Sequence, residues 1–107
     1  MGWIKMAIIN VPSVYLPPSF DPKITFKDGS TLNARAGVNR VANEVWVYPT
    51  ESMNFPTAVE LFQDSNKTGL ITIDHSASES ETVEGFTHLG GIMDISPGQL
   101  AIRLQKE

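Results

Sequence analysis

One segment of the sequence has the residue types and the spacing of a calcium-binding loop. Side chains that carry oxygen alternate at Asp64, Asn66 and Thr68. Gly69 follows where such a loop turns sharply. The twelfth position of a calcium loop is a glutamate that binds the ion through both carboxylate oxygens, but here it is His75. Because that ligand is missing, we predict no metal site and interpret the segment as a helix-to-strand turn whose polar side chains bond to nearby backbone amides.

The two histidines are the other candidates for metal binding or acid–base chemistry. His75 and His88 would approach each other if residues 70–75 paired with residues 82–89 in a hairpin. Two imidazoles and a carboxylate can hold zinc and leave one coordination position open. Solitary histidines on acidic strands are more typical of surface residues, so we predict that neither of them binds a metal.

Serine chemistry is the third possibility near the same place. Ser76, Ser78 and Ser80 lie next to His75 in the sequence. A serine nucleophile needs a base that a third group orients, and it needs donors for the oxyanion. The segment 76–81 is rich in Ser and Glu and is expected to be an exposed, mobile tip. We therefore predict that the protein is not an enzyme and uses no cofactor.

Length and composition indicate a globular protein built from strands and turns. A chain of 107 residues with 41% apolar and 19% charged side chains fits one domain over residues 1–107. Seven prolines and eight glycines divide it into short pieces, which favours strands over long helices. The chain has no cysteine, so disulfides and thiolate metal sites are excluded.

The charge is distributed unevenly along the chain. Residues 1–53 carry five basic and four acidic side chains, whereas residues 54–107 carry three basic and eight acidic ones. Between positions 74 and 94 there are acids but no Lys or Arg, and these acids are Asp74, Glu79, Glu81, Glu84 and Asp94. Such a surface repels phosphate, so we predict no nucleic-acid partner. A basic protein surface would suit it better, although a solvated hairpin is the simpler interpretation.

The N-terminal segment is apolar but does not resemble a membrane anchor. Residues 1–9 are too few for a membrane span. They also lack a separate basic region and a small-residue cleavage site, so we predict no export by a signal peptide. The expectation is a soluble protein without a membrane partner.

The first half of the sequence predicts a strand, a proline-rich arm, a hairpin and a further strand. Residues 3–11 favour a strand, and residues 12–22 favour an extended arm or loop, with Tyr15 and Phe20 as anchors on the domain or on a partner. Alternation on both sides of Asp28-Gly29 predicts a hairpin over residues 24–36. Residues 41–48 predict a strand that is apolar on both faces, with Val45 and Val47 on one face and Trp46 and Tyr48 on the other. Such a strand lies in the middle of a sheet or at an interface.

The second half predicts one helix and further strands. The capping-box spacing of Thr57 and Glu60 favours a short helix over residues 55–63. Strands are expected over residues 70–73, over 82–95 with a kink at Gly90-Gly91, and over 100–104. The fold class expected from these elements is mainly β (α+β), a largely antiparallel sheet or small sandwich or barrel with one short α-helix.

Four segments together give the sequence a family resemblance. They are Val59-Glu-Leu-Phe62-Gln-Asp, the strand from Leu70 to Ile73, Glu84-Gly-Phe86-Thr87-His-Leu89, and the terminal Gly98-Gln-Leu-Ala-Ile-Arg-Leu104-Gln-Lys. Over residues 24–106 this pattern resembles small structural or accessory proteins encoded by phages and prophages. The resemblance implies a component of a virion or a tail, or an accessory protein, without catalytic residues. It assigns a role to no individual residue.

The sequence as a whole therefore predicts a non-enzymatic assembly module of phage type that acts through protein–protein contacts. We expect it in the host cytoplasm or the virion, as a homo-oligomer or bound to neighbouring assembly proteins. The predicted interface residues are Tyr15, Phe20, Val45, Trp46, Val47, Tyr48, Glu79, Glu81 and Glu84. An alternative is an acidic inhibitor or anti-defence protein that docks the 74–94 face on a basic host protein. A third and weaker hypothesis is a metal-binding domain of low affinity, centred on the segment from Asp64 to His75 or on His75 and His88.

Overall fold

A computed structural model describes residues 20–106 of the chain. It has seven strands and two short helices, in the order β1 (Lys23–Thr25), β2 (Thr31–Asn39), β3 (Glu44–Pro49), α1 (Phe55–Phe62), α2 (Ser65–Thr68), β4 (Leu70–Ser76), β5 (Glu79–Glu84), β6 (His88–Ser96) and β7 (Gln99–Gln105). The expected fold class is confirmed, because the strands form one antiparallel sheet in the order β5-β4-β1-β2-β3-β7-β6.

Strand β2 connects the two halves of this sheet. Its first part pairs with β1 through Thr31 to Asn33. Its second part pairs on the opposite side with β3, from Ala34 to Asn39. The two pairings meet at Ala34, whose N–H donates to the Pro22 carbonyl at 3.0 Å and which faces Pro49 across the ladder. The half-sheet β5-β4-β1 and the half-sheet β3-β7-β6 therefore share one strand.

Both half-sheets contribute to one hydrophobic core. Strands β1, β4 and β5 supply side chains from one half, and strands β2, β3 and β7 supply them from the other. The buried members are Ile24, Phe26, Ile71, Ile73, Val83, Ala34, Val45, Val47, Leu100, Ile102 and Leu104, and they are joined by Ala58 and Phe62 of α1 and by Phe86. Because strand residues alternate between faces, this core lies on one side of the sheet, and the other side faces away from it.

The hairpin predicted around Asp28-Gly29 is confirmed. Ile24 lies opposite Leu32, and Gly29 has a positive φ of 89° that a residue without a Cβ adopts readily. Asp28 then links this turn to α2, because its carboxylate accepts a hydrogen bond from the Lys67 ammonium at 2.6 Å. The N–H and the hydroxyl of Ser30 donate to the same carboxylate.

Helix α1 is capped by a different residue from the one predicted. Asn54 is the N-cap, and its side chain accepts a hydrogen bond from the Thr57 N–H at 2.9 Å. Pro56 fits the first turn because it has no N–H to satisfy there. The capping box of Thr57 with Glu60 is therefore wrong, since Asn54 already supplies the acceptor. The helix buries Ala58 and Phe62.

Three other predicted segments have different bounds in the structure, for local reasons. Val41 lies in the β2–β3 turn, 98% exposed, because the Asn39 side chain accepts the N–H of Val41 and Ala42 and starts the turn. The segment 76–81 is a tight β4–β5 hairpin. The expected strand over 82–95 is two strands, because Gly85, with a φ of 83°, ends β5.

One further prediction is confirmed, one helix was not predicted, and several predictions concern residues outside the described part of the chain. The kink at the two glycines is confirmed as a shift in the β6–β7 register between Leu89 and Gly91. Helix α2 is a second helix, which was not expected from the sequence. The strand expected over residues 3–11, the part of the proline-rich arm over 12–19 and Tyr15 lie outside the described residues.

Replacing Phe62 tests whether helix α1 is packed into this core. Phe62 is fully buried, and its ring meets Phe26 of the β1 side edge to face, with 5.7 Å between ring centroids. We expect Phe62→Ala to lower the free energy of unfolding by about 3–5 kcal/mol in urea titrations. Phe55→Ala is the matched control on the same helix, because Phe55 is 41% exposed, and we expect less than about 1 kcal/mol there. Equal losses would show that α1 does not pack as described.

The Asp28 contact predicts how stability depends on pH. The Lys67 hydrogen bond, followed by the two Ser30 hydrogen bonds, lowers the pKa of Asp28 well below its usual range. The unfolded-state pKa is about 3.9, so the ionised carboxylate stabilises the fold above that value and this contribution is lost as the pH falls further. In urea titrations across pH, Asp28→Asn should be destabilised most near neutrality, and the difference from wild type should narrow below about pH 4.

A double-mutant cycle with Lys67→Met controls this prediction. If Asp28 acts through Lys67, the double variant should lose clearly less stability than the sum of the two single variants. Additive losses, or a difference from wild type that does not change with pH, would contradict the prediction.

Candidate functional site

The calcium-like segment is a helix cap in the structure. The Asp64 carboxylate accepts a hydrogen bond from the Asn66 N–H at 2.9 Å and caps α2. The Thr68 hydroxyl is buried and points back to the Asp64 carbonyl at 3.4 Å. The next N–H along the chain, that of Gly69, donates to the Ser65 carbonyl. Within residues 20–106 no group of three or more His, Cys, Asp or Glu side chains is placed to hold a metal ion.

The two histidines lie on different strands that are far apart in the sheet. His75 is on β4, next to the edge strand β5, whereas His88 is on β6 at the opposite edge. The approach that a hairpin of residues 70–75 with residues 82–89 would have allowed therefore does not occur, because residues 82–89 do not form one strand beside β4. Instead, Nε2 of His75 lies 2.8 Å from Oε2 of Glu81. The other oxygen of Glu81 accepts a hydrogen bond from Arg40 of the β2–β3 turn at 3.0 Å.

This contact between Arg40 and Glu81 ties the end of one half-sheet to the edge of the other. The acidic segment 74–94 is divided between the two ends of the strand order. Four of its five acids lie on β4 and β5, while Asp94 lies on β6 at the far edge, so residues 74–94 do not form one acidic face. Glu79 and Glu84 are exposed on β5, but Glu81 is already paired.

Two shallow depressions lie along helix α1. One, of about 430 Å³, is lined by Met53, Asp94, Leu100 and residues around the helix N-terminus. The other lies along the exposed side of α1 and is lined by Phe55, Val59 and Glu60, among others. Neither lining contains a histidine or a lysine beside a serine, so these linings do not hold the nucleophile and base that acyl transfer requires.

The outer side of strands β3, β7 and β6 carries the most distinctive group of side chains. It consists of Trp46, Tyr48, Arg103, Met93 and Ile95, which we call the aromatic face. Tyr48 is 39% exposed, Met93 50% and Ile95 55%. The Trp46 and Tyr48 rings are nearly parallel, at 15°, with centroids 6.5 Å apart. This surface is therefore apolar, exposed and ordered by contacts within the protein.

The ladder register explains why these side chains meet. Trp46 lies opposite Arg103, and residues directly opposite in an antiparallel pair point to the same side. Gly37 lies opposite Trp46 on the other flank, and Gly91 lies opposite Arg103. Two glycines thus frame the tryptophan and the arginine, and a Cβ at Gly37 would meet nothing within 4 Å. Trp46 and Arg103 therefore each have a glycine, which has no side chain, as a neighbour on an adjacent strand.

Arg103 holds the centre of the aromatic face. Its guanidinium carbon lies 5.9 Å from the centre of the Trp46 ring, and its Nη2 donates to the Gly90 carbonyl at 2.7 Å. Its Nη1 is 3.6 Å from Glu44, whose other carboxylate oxygen accepts the indole N–H of Trp46 at 3.1 Å. The buried Nε of Arg103 has no partner among the described residues. Glu44 thus holds both Arg103 and Trp46 in place through its two carboxylate oxygens.

The predicted interface residues divide between the two sides of β3. Val45 and Val47 are fully buried in the protein's own core, because they point away from Trp46 and Tyr48. A partner on the outer surface therefore does not reach the two valines, which corrects their place in the predicted interface. Phe20 is 37% exposed at the start of the described chain.

Arg103, Met93 and Ile95 are members of this surface that were not predicted from the sequence. Met93 and Ile95 alternate with Ile92 and Asp94, and that period of two is the signal that places them on one side of β6. Arg103 joins this surface because β3 pairs with β7. No local pattern gives that pairing.

The aromatic face has the composition of a protein-binding surface. Tyr, Trp, Met and Arg are enriched at the centres of protein interfaces, whereas Lys, Glu and Asp are depleted there. Trp, Tyr and Arg also dominate the residues whose truncation most weakens binding. Glu44 is the one acid on this side of β3, and it is occupied by Arg103 and Trp46.

No protein-family model, curated protein or solved structure matches the chain. Among the described helices, none is both long and apolar enough to cross a membrane.

Proposed function

We propose that the protein is a non-enzymatic assembly module of phage type, which binds neighbouring copies of itself through the aromatic face. The observation that carries this proposal is the juxtaposition of Trp46, Tyr48, Arg103 and Met93 on one exposed side of the sheet. These are the side-chain types that form the centre of a protein interface. The phage-type part of the proposal rests on the sequence resemblance over residues 24–106.

The internal contacts of the face favour a partner that packs against it as a rigid surface. Arg103 and Trp46 are held by Glu44, so little side-chain freedom remains to be lost on binding. Immobilising a free side chain at an interface costs about 0.5–1.5 kcal/mol, which a pre-positioned residue avoids. The exposed Met93 and Ile95 extend the apolar area from β3 to the edge of the sheet.

The chemistry of the face fits protein better than nucleic acid. A nucleic-acid platform combines stacking rings with a basic groove for the backbone. On the aromatic face the guanidinium of Arg103 lies 3.6 Å from the Glu44 carboxylate, and the chain carries a net charge of −4. We place the protein in the virion or the host cytoplasm as part of the same proposal.

The acidic-inhibitor alternative has less support from the arrangement of charges. Glu81 is paired with Arg40 and His75, and Asp94 lies at the opposite edge of the sheet from Glu79 and Glu84. A basic partner would therefore meet two unpaired glutamates of β5 within the described residues, rather than a continuous acidic surface.

Light scattering coupled to size-exclusion chromatography tests the proposed self-association. We expect the full-length protein to form a discrete oligomer, and we expect Tyr48→Lys or Met93→Lys to dissociate it, because each places a charge in the apolar contact. Both side chains are substantially exposed, so the folded monomer should lose little stability.

Val41→Lys is the matched control for this experiment. Val41 is 98% exposed in the β2–β3 turn and is not part of the aromatic face, so the same charge there should leave the oligomer intact. A wild-type protein that remains monomeric at the highest attainable concentration would overturn the proposal. Dissociation by Val41→Lys to the same extent would show that charge alone, and not the face, governs association.

A further inference from the structure

Strand β6 has no strand partner on its outer edge among the described residues and carries little charge, although its pairing with β7 shifts register between Leu89 and Gly91 and between Asp94 and Ser96. It is nine residues long, from His88 to Ser96, and within the described residues it pairs only with β7. It contains neither lysine nor proline, and Asp94 is its single carboxylate. Long apolar edges are templates for the addition of another strand.

The opposite edge of the sheet is protected in ways that β6 is not. Strand β5 has six residues, three of which are the glutamates Glu79, Glu81 and Glu84. Arg40 reaches the inner side of this strand through its hydrogen bond to Glu81. Short length, charge and coverage all discourage pairing, so the two edges of one sheet differ in their capacity to accept a strand.

The chain itself contains a segment that suits the free edge. Residues 3–11 have a sequence that predicts a strand, and at nine residues they match the length of β6. Seven of the nine are apolar, namely Trp3, Ile4, Met6, Ala7, Ile8, Ile9 and Val11. The segment carries Lys5 and no acid, whereas β6 carries Asp94 and no Lys or Arg. Length, hydrophobicity and charge are therefore complementary.

The intervening arm is long enough to bring the segment to an edge. From β1 to a strand added outside β6 there are five strand spacings, a distance of about 24 Å at 4.7–4.9 Å each. Residues 12–22 would extend over about 34 Å as polyproline II, a conformation that Pro12, Pro17, Pro18 and Pro22 favour. Reaching its own β6 would take the arm across the sheet, over the surface that a neighbouring copy occupies in the proposed assembly.

From this combination we infer that residues 3–11 of one copy add as a strand to the free edge of β6 in a neighbouring copy. Main-chain hydrogen bonds would provide affinity, and the exposed Met93 and Ile95 would contact alternate side chains of the added strand. The inference rests on the proposed function and specifies how its subunits are linked.

The absence of cysteine makes a direct test possible. Chains with the single change Met93→Cys are mixed with size-tagged chains that carry one cysteine at a position between Ile4 and Ile9, and the mixture is oxidised. We expect disulfide-linked heterodimers on non-reducing gels, most strongly from alternate positions of the segment, because side chains of a strand alternate between faces. Val41→Cys replaces Met93→Cys as the control and should give only background linkage, although Val41, at 98%, is more exposed than Met93, at 50%.

Three outcomes would overturn the inference. They are linkage at Met93 no stronger than at Val41, linkage without alternation along the segment, and a disulfide within one chain when both cysteines are in the same molecule. Ile8→Pro provides an independent check, because proline removes a ladder donor and should reduce heterodimer formation through a separate cysteine at position 6.

The design also separates this inference from the proposed function. If the wild-type protein is oligomeric and Tyr48→Lys dissociates it, but Met93→Cys shows only background linkage, then the strand addition fails and the assembly function stands. If the wild-type protein is monomeric at every concentration, both fail.

Discussion

The structure depends on the fact that strand β2 belongs to two half-sheets at once. Three of its residues pair with β1 and the following six pair with β3 on the opposite side. Ala34 lies at the change-over, fully buried, where the backbones of Pro22 and Pro49 approach from either side. A larger side chain at this fully buried position would overpack the core, which typically costs about 1–3 kcal/mol. Among the described strands, β2 is the one that pairs with both half-sheets.

Because the two halves share one core, their outer sides are free to differ. On the β5-β4-β1-β2 half, four threonines lie in one row across the strands, in the order Thr82, Thr72, Thr25 and Thr31. The hydroxyls of Thr72 and Thr82 are 3.1 Å apart. On the other half the outer side carries the aromatic face. The outer side of the first half thus carries small polar side chains, whereas the outer side of the other half carries large and mostly apolar ones. Only the second has the residue types that are enriched at protein interfaces.

The sequence predicted the parts of the fold that depend on neighbouring residues. A period of two identified the β1–β2 hairpin, the two sides of β3 and the terminal strand β7, because alternation is a property of a single strand. Local competition between polar side chains explains the errors at boundaries. Asn54 caps α1 in preference to Thr57, and Asn39 turns the chain before Val41.

The part of the site that depends on strand order could not be predicted from the sequence. The meeting of Trp46 with Arg103 requires the pairing of β3 with β7, which are separated by both helices and three strands. The separation of His75 from His88 follows from Gly85, where the chain leaves one edge of the sheet and continues at the other. Neither relation leaves a trace in local composition.

The placement of β7 has a consequence for how the protein is made. This strand is near the end of the sequence, yet in the sheet it lies between β3 and β6 and supplies Leu100, Ile102 and Leu104 to the core. Until residues 99–105 have left the ribosome, β3 lacks one neighbour, and Val45 and Val47 lack the side chains that cover them. From the time β3 emerges until β7 follows, the nascent chain therefore carries an open apolar strand, a state in which pairing with the wrong chain competes with folding.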